Sequence, residues 1–147
     1  MAYSGKFIPK NPHKYLGNPT NIVYRSLWER TVMVRFDEDD QIISWGSEEL
    51  IILYEDPQTR KIRRYFPDFV VKMRQRDGNI AVMIVEVKPD SQCKPPKQKK
   101  KVTKKYLNEV VTYATNQAKW KAATEFANKR GWKFIVLTEN DIFNKNK

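Results

Sequence analysis

Asp68, Glu86 and Lys88 are the residues whose types and spacing invite chemistry. Each lies in an apolar run of β-type residues: Asp68 in Tyr65-Phe66-Pro67-Asp68-Phe69-Val70-Val71, the other two in Ile84-Val85-Glu86-Val87-Lys88. An isolated charge in such surroundings is costly unless it is paired or holds a metal ion. Residues two apart on a strand share a face, so Glu86 and Lys88 point the same way. Whether Asp68 joins them is a question of hairpin register. Arg76-Asp77-Gly78 suits a three-residue loop, a type I turn followed by Gly in the left-handed region. Closed by Gln75 and Asn79, that loop sets Asp68 opposite Glu86, with both carboxylates on one face. A two-residue Asp77-Gly78 loop would set Asp68 opposite Val87 and turn the acid away, unless a bulge restored it. The three-residue register is the expected one.

Two facing carboxylates beside a lysine suit a hard divalent cation, since Mg²⁺ takes oxygen ligands and keeps several waters. Such an ion can activate water and stabilise charge on a phosphate during in-line displacement. Lys88 could orient or deprotonate the water, or neutralise charge developing at phosphorus.

The elements that must position these groups follow from the chain order. Residues 1–20 hold Pro9, Pro12 and Pro19 with Lys6, Lys10 and Lys14 and no periodicity, which reads as a basic N-terminal arm or a loop-rich cap. His13 has no histidine or cysteine partner and is expected to be exposed. Residues 21–36 turn helical, with Val23, Leu27, Trp28, Thr31 and Val34 at helical spacing, and Asp37-Glu38-Asp39-Asp40 reads as a solvated turn. Within that helix Ser26-Leu27-Trp28-Glu29 fits a capping box. Glu29 could instead face the carboxylate site.

Strands follow at Ile42 to Trp45, Glu48 to Tyr54, Ile62 to Met73 and Ile80 to Lys88, spaced as an antiparallel meander. Residues 102–130 read as one helix, with Leu107, Val110, Val111, Ala114, Ala118, Ala122 and Phe126 as its apolar face and Gly131 as its cap. Trp132 to Leu137 is a last strand, which a crossover helix returns parallel to its neighbour. The sum is a single α/β domain over residues 21–147, ordered αβββαβ, a mixed sheet flanked by helices.

Composition bounds the partners. The 147 residues carry 28 Lys and Arg against 17 Asp and Glu, a net charge of +11, which favours a polyanion such as nucleic acid. Lys94, Lys97, Lys99, Lys100, Lys101, Lys104 and Lys105 fall in one stretch with no acid among them and with Pro95-Pro96 near its start. They read as a phosphate-binding loop beside Lys88, against the plainer reading of a solvated charge run. Lysine contacts phosphate without reading bases, so little sequence preference is expected. A lone cysteine, Cys93, allows no internal disulfide and suits a reducing compartment. No apolar run is long enough to span a membrane, and no signal-type segment opens the chain.

Pro67-Asp68 followed by Glu86-Val87-Lys88 resembles the signature of the PD-(D/E)XK nuclease superfamily, and the αβββαβ order is the one that superfamily uses. The resemblance is closest to its TnsA-like branch and to the head completion nucleases of T-even-like tailed phages. It is carried by Ser26-Leu27-Trp28-Glu29-Arg30, Arg64-Tyr65-Phe66-Pro67-Asp68-Phe69, Val85-Glu86-Val87-Lys88-Pro89, Asn116-Gln117-Ala118-Lys119-Trp120 and Phe134-Ile135-Val136-Leu137-Thr138-Glu139, with Ala2-Tyr3-Ser4-Gly5-Lys6-Phe7 at the start.

The resemblance implies that Asp68, Glu86 and the Val87 carbonyl bind Mg²⁺ or Mn²⁺, that Lys88 is the catalytic lysine, and that Glu29 is the helical acid of the site. It counts Arg64 and Lys119 among the DNA-contacting residues, with Gln117 as a supporting polar group. The implied activity is a Mg²⁺-dependent endodeoxyribonuclease acting on double-stranded DNA, in phage head completion after packaging, in the cytoplasm of the infected host or on the virion. Portal or neck proteins would be partners, and a homodimer would suit double-strand cuts. Two other readings stay open: a basic head-completion protein that keeps the fold without cleaving, and a repair or restriction nuclease.

Overall fold

Glycine with positive φ appears where two turns demand it. At Gly78 (φ +86°) the chain closes the loop after Gln75, whose N–H and C=O bond Asn79 and Gly78. At Gly131 (φ +71°) a Schellman pair, Gly131 N to Asn128 O and Trp132 N to Ala127 O, ends the long helix and turns the chain into the last strand. The computed structural model describes residues 3–98 and 100–143. Of the expected phosphate-binding lysines, Lys99 lies outside the described residues.

In chain order the elements are β1 (Gly5–Phe7), β2 (Ile22–Tyr24), α1 (Leu27–Glu38), β3 (Ile42–Ser47), β4 (Ile52–Glu55), β5 (Ile62–Tyr65), β6 (Phe69–Arg74), β7 (Ile80–Val87), α2 (Lys104–Lys129), β8 (Lys133–Leu137) and α3 (Glu139–Ile142), with short 3₁₀ turns at Pro12–Lys14 and Asp90–Cys93. The main sheet runs β3-β6-β7-β8: an antiparallel meander, then β8 parallel to β7. This is the expected αβββαβ core. The β6–β7 register pairs Phe69 with Val85 and Arg74 with Ile80, the register that the three-residue loop predicts.

Alternation along the strands sorts the core into two layers. Phe69, Val71 and Val85 pack with Val32 and Met33 of α1 around Trp45. Ile84 packs with Trp120, Ala123 and Ala127 of α2 and with Ile52, Tyr54 and Tyr65. Even-numbered positions of β7 therefore face α2, which assigns Glu86 to that side.

Four expectations need correction. Helix α1 starts at Leu27, because Ser26 caps it, its hydroxyl accepting from Glu29 N, while the β-branched Ile22 and Val23 pair with β1 instead. The run from Ile62 to Met73 is two strands, not one: β5 pairs with β4 in a separate hairpin, and β6 joins the main sheet. Pro67, which has no N–H to give a ladder, falls in the break. On α2 the fully buried stripe is Asn116, Trp120, Ala123 and Ala127, with the expected Ala118, Ala122 and Phe126 packed half-buried beside it. Leu107 and Val110 on the N-terminal turns stay exposed, because no element of the core covers them among the described residues.

The acidic run after α1 is not simply solvated. Asp37 is 2% exposed and accepts from Lys10 N (2.7 Å) and Asn11 N (2.9 Å), while Lys14 Nζ, itself buried, donates to the carbonyls of Asp37 and Asp39. Thus the N-terminal segment takes the cap form and spends Lys14 on the backbone. Phe7 and Tyr15 complete the seal, edge-on to Trp45. Asp37→Ala strands two backbone donors and is expected to cost about 2–3 kcal/mol in urea unfolding. A loss below about 0.5 kcal/mol would mean that the cap contributes nothing to stability.

Candidate active site

The site forms where β6 and β7 run out. Asp68 sits one residue before β6, just beyond the Phe69–Val85 pair, and so stands beside Glu86. Its placement is fixed from both strands: Val87 N donates to Asp68 Oδ2 at 2.8 Å, and Asp68 N donates to Glu86 Oε1 at 3.2 Å. A third hold comes from the inserted hairpin, where the buried Tyr65 hydroxyl donates to the same Glu86 oxygen at 2.7 Å. Lys88 lies at the end of β7, its amide bonded to Leu137 O of β8 and its Nζ 3.7 Å from Glu86 Oε2. The chain beyond is pinned by Asp90 N to Glu139 Oε1 of α3, 2.7 Å.

Burial and mutual repulsion dominate the electrostatics. The Asp68 carboxyl is pushed up to about 8, first by burial and then by the Glu86 charge, against the pull of the Val87 amide and Lys88. Glu86 is pushed up by burial, partly offset by the Tyr65 hydroxyl, Lys88, the Asp68 amide and Lys119. The two titrate as a pair. Two carboxylates are thus held together with too little positive charge to balance them.

The donor set fits a hard cation. Asp68 Oδ1 has no hydrogen-bond partner among the described residues, and Glu86 Oε2 meets only the Lys88 ammonium. Two carboxylate oxygens, completed by the neighbouring Val87 carbonyl and waters, match the preferences of Mg²⁺ or Mn²⁺. Among the described residues no three His, Cys, Asp or Glu side chains converge by themselves on one point. Softer ions that need histidine or thiolate are not served here.

Glu29 approaches from the other layer. It belongs to α1, and its carboxylate accepts from the Ser26 hydroxyl (3.1 Å) while its amide donates to the Ser26 oxygen (3.2 Å). Half of the capping box read from the sequence therefore forms, the Ser26 oxygen accepting from Glu29 N, while the Glu29 carboxylate takes the Ser26 hydroxyl and not its backbone N–H. Burial pushes its carboxyl up as well, and its charge is one of those that raise Asp68, which places it within electrostatic reach of the pair.

Lys119 of α2 lies 5.7 Å from the ring centres of both Tyr54 and Tyr65, and it acts on Glu86. Gln117, two residues earlier, is exposed. Arg64 alternates away from the buried Tyr65 onto the outer face of the hairpin, 6.0 Å from the Phe66 ring, and does not join the carboxylates. Lys97, Lys100, Lys101, Lys104 and Lys105 are exposed, and Lys94 pairs at the surface with Asp90 at 3.0 Å.

Two contributors escaped sequence reasoning. Tyr65 looked like one more residue of a continuous strand, and only the break at Pro67 lets its hydroxyl turn to Glu86. Glu48 adopts φ +55°, donates its amide to Asp68 O at 3.1 Å and pairs with Arg25 at 3.1 Å, forming the rim of the site. Such a conformation is costly for a side chain with a Cβ and recurs at functional sites.

Two comparisons with known proteins bear on this arrangement. The family described as TnsA-like endonuclease N terminal matches residues 39–139, a span that contains Asp68, Glu86 and Lys88. The head completion nuclease of Enterobacteria phage T4 is 42% identical over 146 residues, covering 97% of this chain and 95% of that protein.

Proposed function

From the premise that this chain belongs to the TnsA-like endonuclease family, we propose that it is a metal-dependent DNA endonuclease with little sequence preference, working in phage head completion after DNA packaging. The observation that carries the chemistry is the Asp68–Glu86 pair at the end of the β6–β7 ladder with Lys88 alongside. The setting is supported by the likeness to the T4 protein along nearly the whole chain.

Asp68, Glu86 and the Val87 carbonyl would hold Mg²⁺ or Mn²⁺, which supplies an activated water and charge stabilisation at the phosphate. Tyr65 and the Asp68 amide fix the Glu86 carboxylate. Lys88, 29% exposed, reaches the phosphate or the attacking water. Glu29 lies close enough to take part through its charge. The exposed lysines of 94–105 draw in the DNA backbone.

Purified protein incubated with supercoiled plasmid should nick it with Mg²⁺ or Mn²⁺ and not in EDTA. No nicking with either ion at any salt concentration, with DNA binding retained, would favour a basic module that keeps the fold without cleaving.

Two further outcomes test the supporting groups. Tyr65→Phe removes one hydroxyl and is expected to weaken Mn²⁺ binding roughly tenfold in calorimetric titration, the scale on which groups behind a ligand act. Unchanged affinity would show that backbone alone holds Glu86. Neutralising Lys97, Lys100 and Lys101 should flatten the salt dependence of DNA binding by roughly one unit of log-log slope for each phosphate no longer neutralised. An unchanged slope would return these lysines to plain solvation.

A further inference from the structure

The mechanism leaves one groove unused. It lies between the Ser91–Pro96 segment and the N-terminal half of α2, with a volume of about 740 Å³. Lys94, Lys104 and Lys105 line it as cations, and among the described residues the one carboxylate on its wall is Glu109. The Lys94–Asp90 pair is exposed, so that ammonium can exchange its partner for a phosphate at small cost.

The floor of the groove is less ordinary than its rim. Asn116 is 6% exposed, lines the groove, and its amide makes no hydrogen bond to any described residue. Among the described residues the buried side-chain atoms left without a partner are Trp45 Nε1 and Trp120 Nε1, so the Asn116 amide keeps an opening onto the groove. An amide that faces the groove and is engaged by no described residue can meet the donor and acceptor edges of a ligand. Beside it the half-buried Tyr113 offers a ring. Two links lead from the groove toward the carboxylates: Lys88 acts on Cys93 in the segment that walls it, and Asn116 sits one helical turn before Lys119, which acts on Glu86.

A duplex turns its bases inward and offers such a floor only phosphate and sugar. An unpaired strand brings base faces that stack on tyrosine and base edges that a carboxamide can read. We propose that this groove holds one unpaired DNA strand, its phosphates on Lys94, Lys104 and Lys105, one base on Tyr113 and a base edge on Asn116. The preferred substrate is then DNA with a single-stranded end or branch next to the scissile phosphate. This rests on the nuclease reading and narrows it.

The test uses Asp68→Asn protein in EDTA, so that binding is measured without cutting, with a short labelled single strand and a blunt duplex followed by fluorescence anisotropy. Adding Tyr113→Ala should weaken single-strand binding about tenfold, the scale of one stacked base, and leave duplex binding unchanged. Tyr113→Phe should keep both, and Asn116→Leu, checked for folding by circular dichroism, should weaken the single strand alone. No loss, or equal loss on both DNAs, overturns the groove. Should wild-type protein cut nothing while the Tyr113 contrast persists, the nuclease reading fails and the groove stands. Cutting without that contrast has the opposite meaning.

Discussion

Asp68→Asn should abolish metal-stimulated nicking and, in the same protein, raise the melting temperature when no metal is present. The activity loss is expected to reach about a thousandfold or more, because a neutral amide replaces one of two carboxylates in a site worth several kcal/mol of transition-state stabilisation. The stability gain follows from the charge that is removed. In the folded chain Asp68 keeps its proton up to about 8, whereas an unfolded aspartate loses it near pH ~3.9. Between those values the folded state binds more protons than the unfolded, so stability must fall as pH rises through that window. Asparagine fits the same space, can still accept from Val87 N, and carries no such penalty. Thermal melts in EDTA should show the variant ahead of wild type near pH 8, with the lead closing toward pH 4. Each ~1 kcal/mol of relieved repulsion should appear as roughly 3 °C. Mn²⁺ should then raise the wild-type melting temperature and leave Asp68→Asn unmoved, since binding to the native state alone stabilises it. A wild-type melt that climbs across the same pH range would mean that the two acids do not repel each other in the fold.

The hairpin register was legible because Arg76-Asp77-Gly78 is a local signal, and a glycine at φ +86° admits few other loops. The order of the αβββαβ core was legible for a similar reason, since Asp77-Gly78 marks its hairpin and Gly131 the end of its long helix. What was not legible depends on partners distant in sequence. Asp37 seemed a solvated charge until the N-terminal segment folded back and gave it two amides to hold. Tyr65 seemed to continue the strand that carries Asp68 until β5 left the main sheet, and the apolar positions Leu107 and Val110 promised a buried face that the sheet does not reach. Glu29 shows the limit most clearly. Its bond to Ser26 is local and readable, but its effect on Asp68 comes from the opposite layer of the sheet, which no periodicity within α1 could specify.

Lys88→Met should lower the nicking rate by about 100- to 1,000-fold while leaving DNA and metal affinity in place. The lysine directly follows β7, with its backbone fixed to Leu137 and its ammonium 3.7 Å from Glu86 Oε2, near the carboxylates but partly open to solvent. A cation in that position repels a divalent ion, so removing it cannot weaken Mn²⁺ binding by direct loss of a ligand. Calorimetric titration should give an equal or tighter Kd. DNA binding without metal should shift by no more than about twofold, because Lys88 is one ammonium in a chain of net charge +11 and each phosphate contact contributes only a fraction of the attraction. The loss must then fall on the chemical step. Lys88→Arg divides its causes: a guanidinium keeps the charge but cannot act as a base and is poorly matched to a single oxygen. An arginine variant well above methionine would assign the effect to charge at the phosphate, and one equally inactive would assign it to the water. A methionine variant that nicks at the wild-type rate would remove Lys88 from the site altogether, leaving the carboxylate pair to account for cleavage without it.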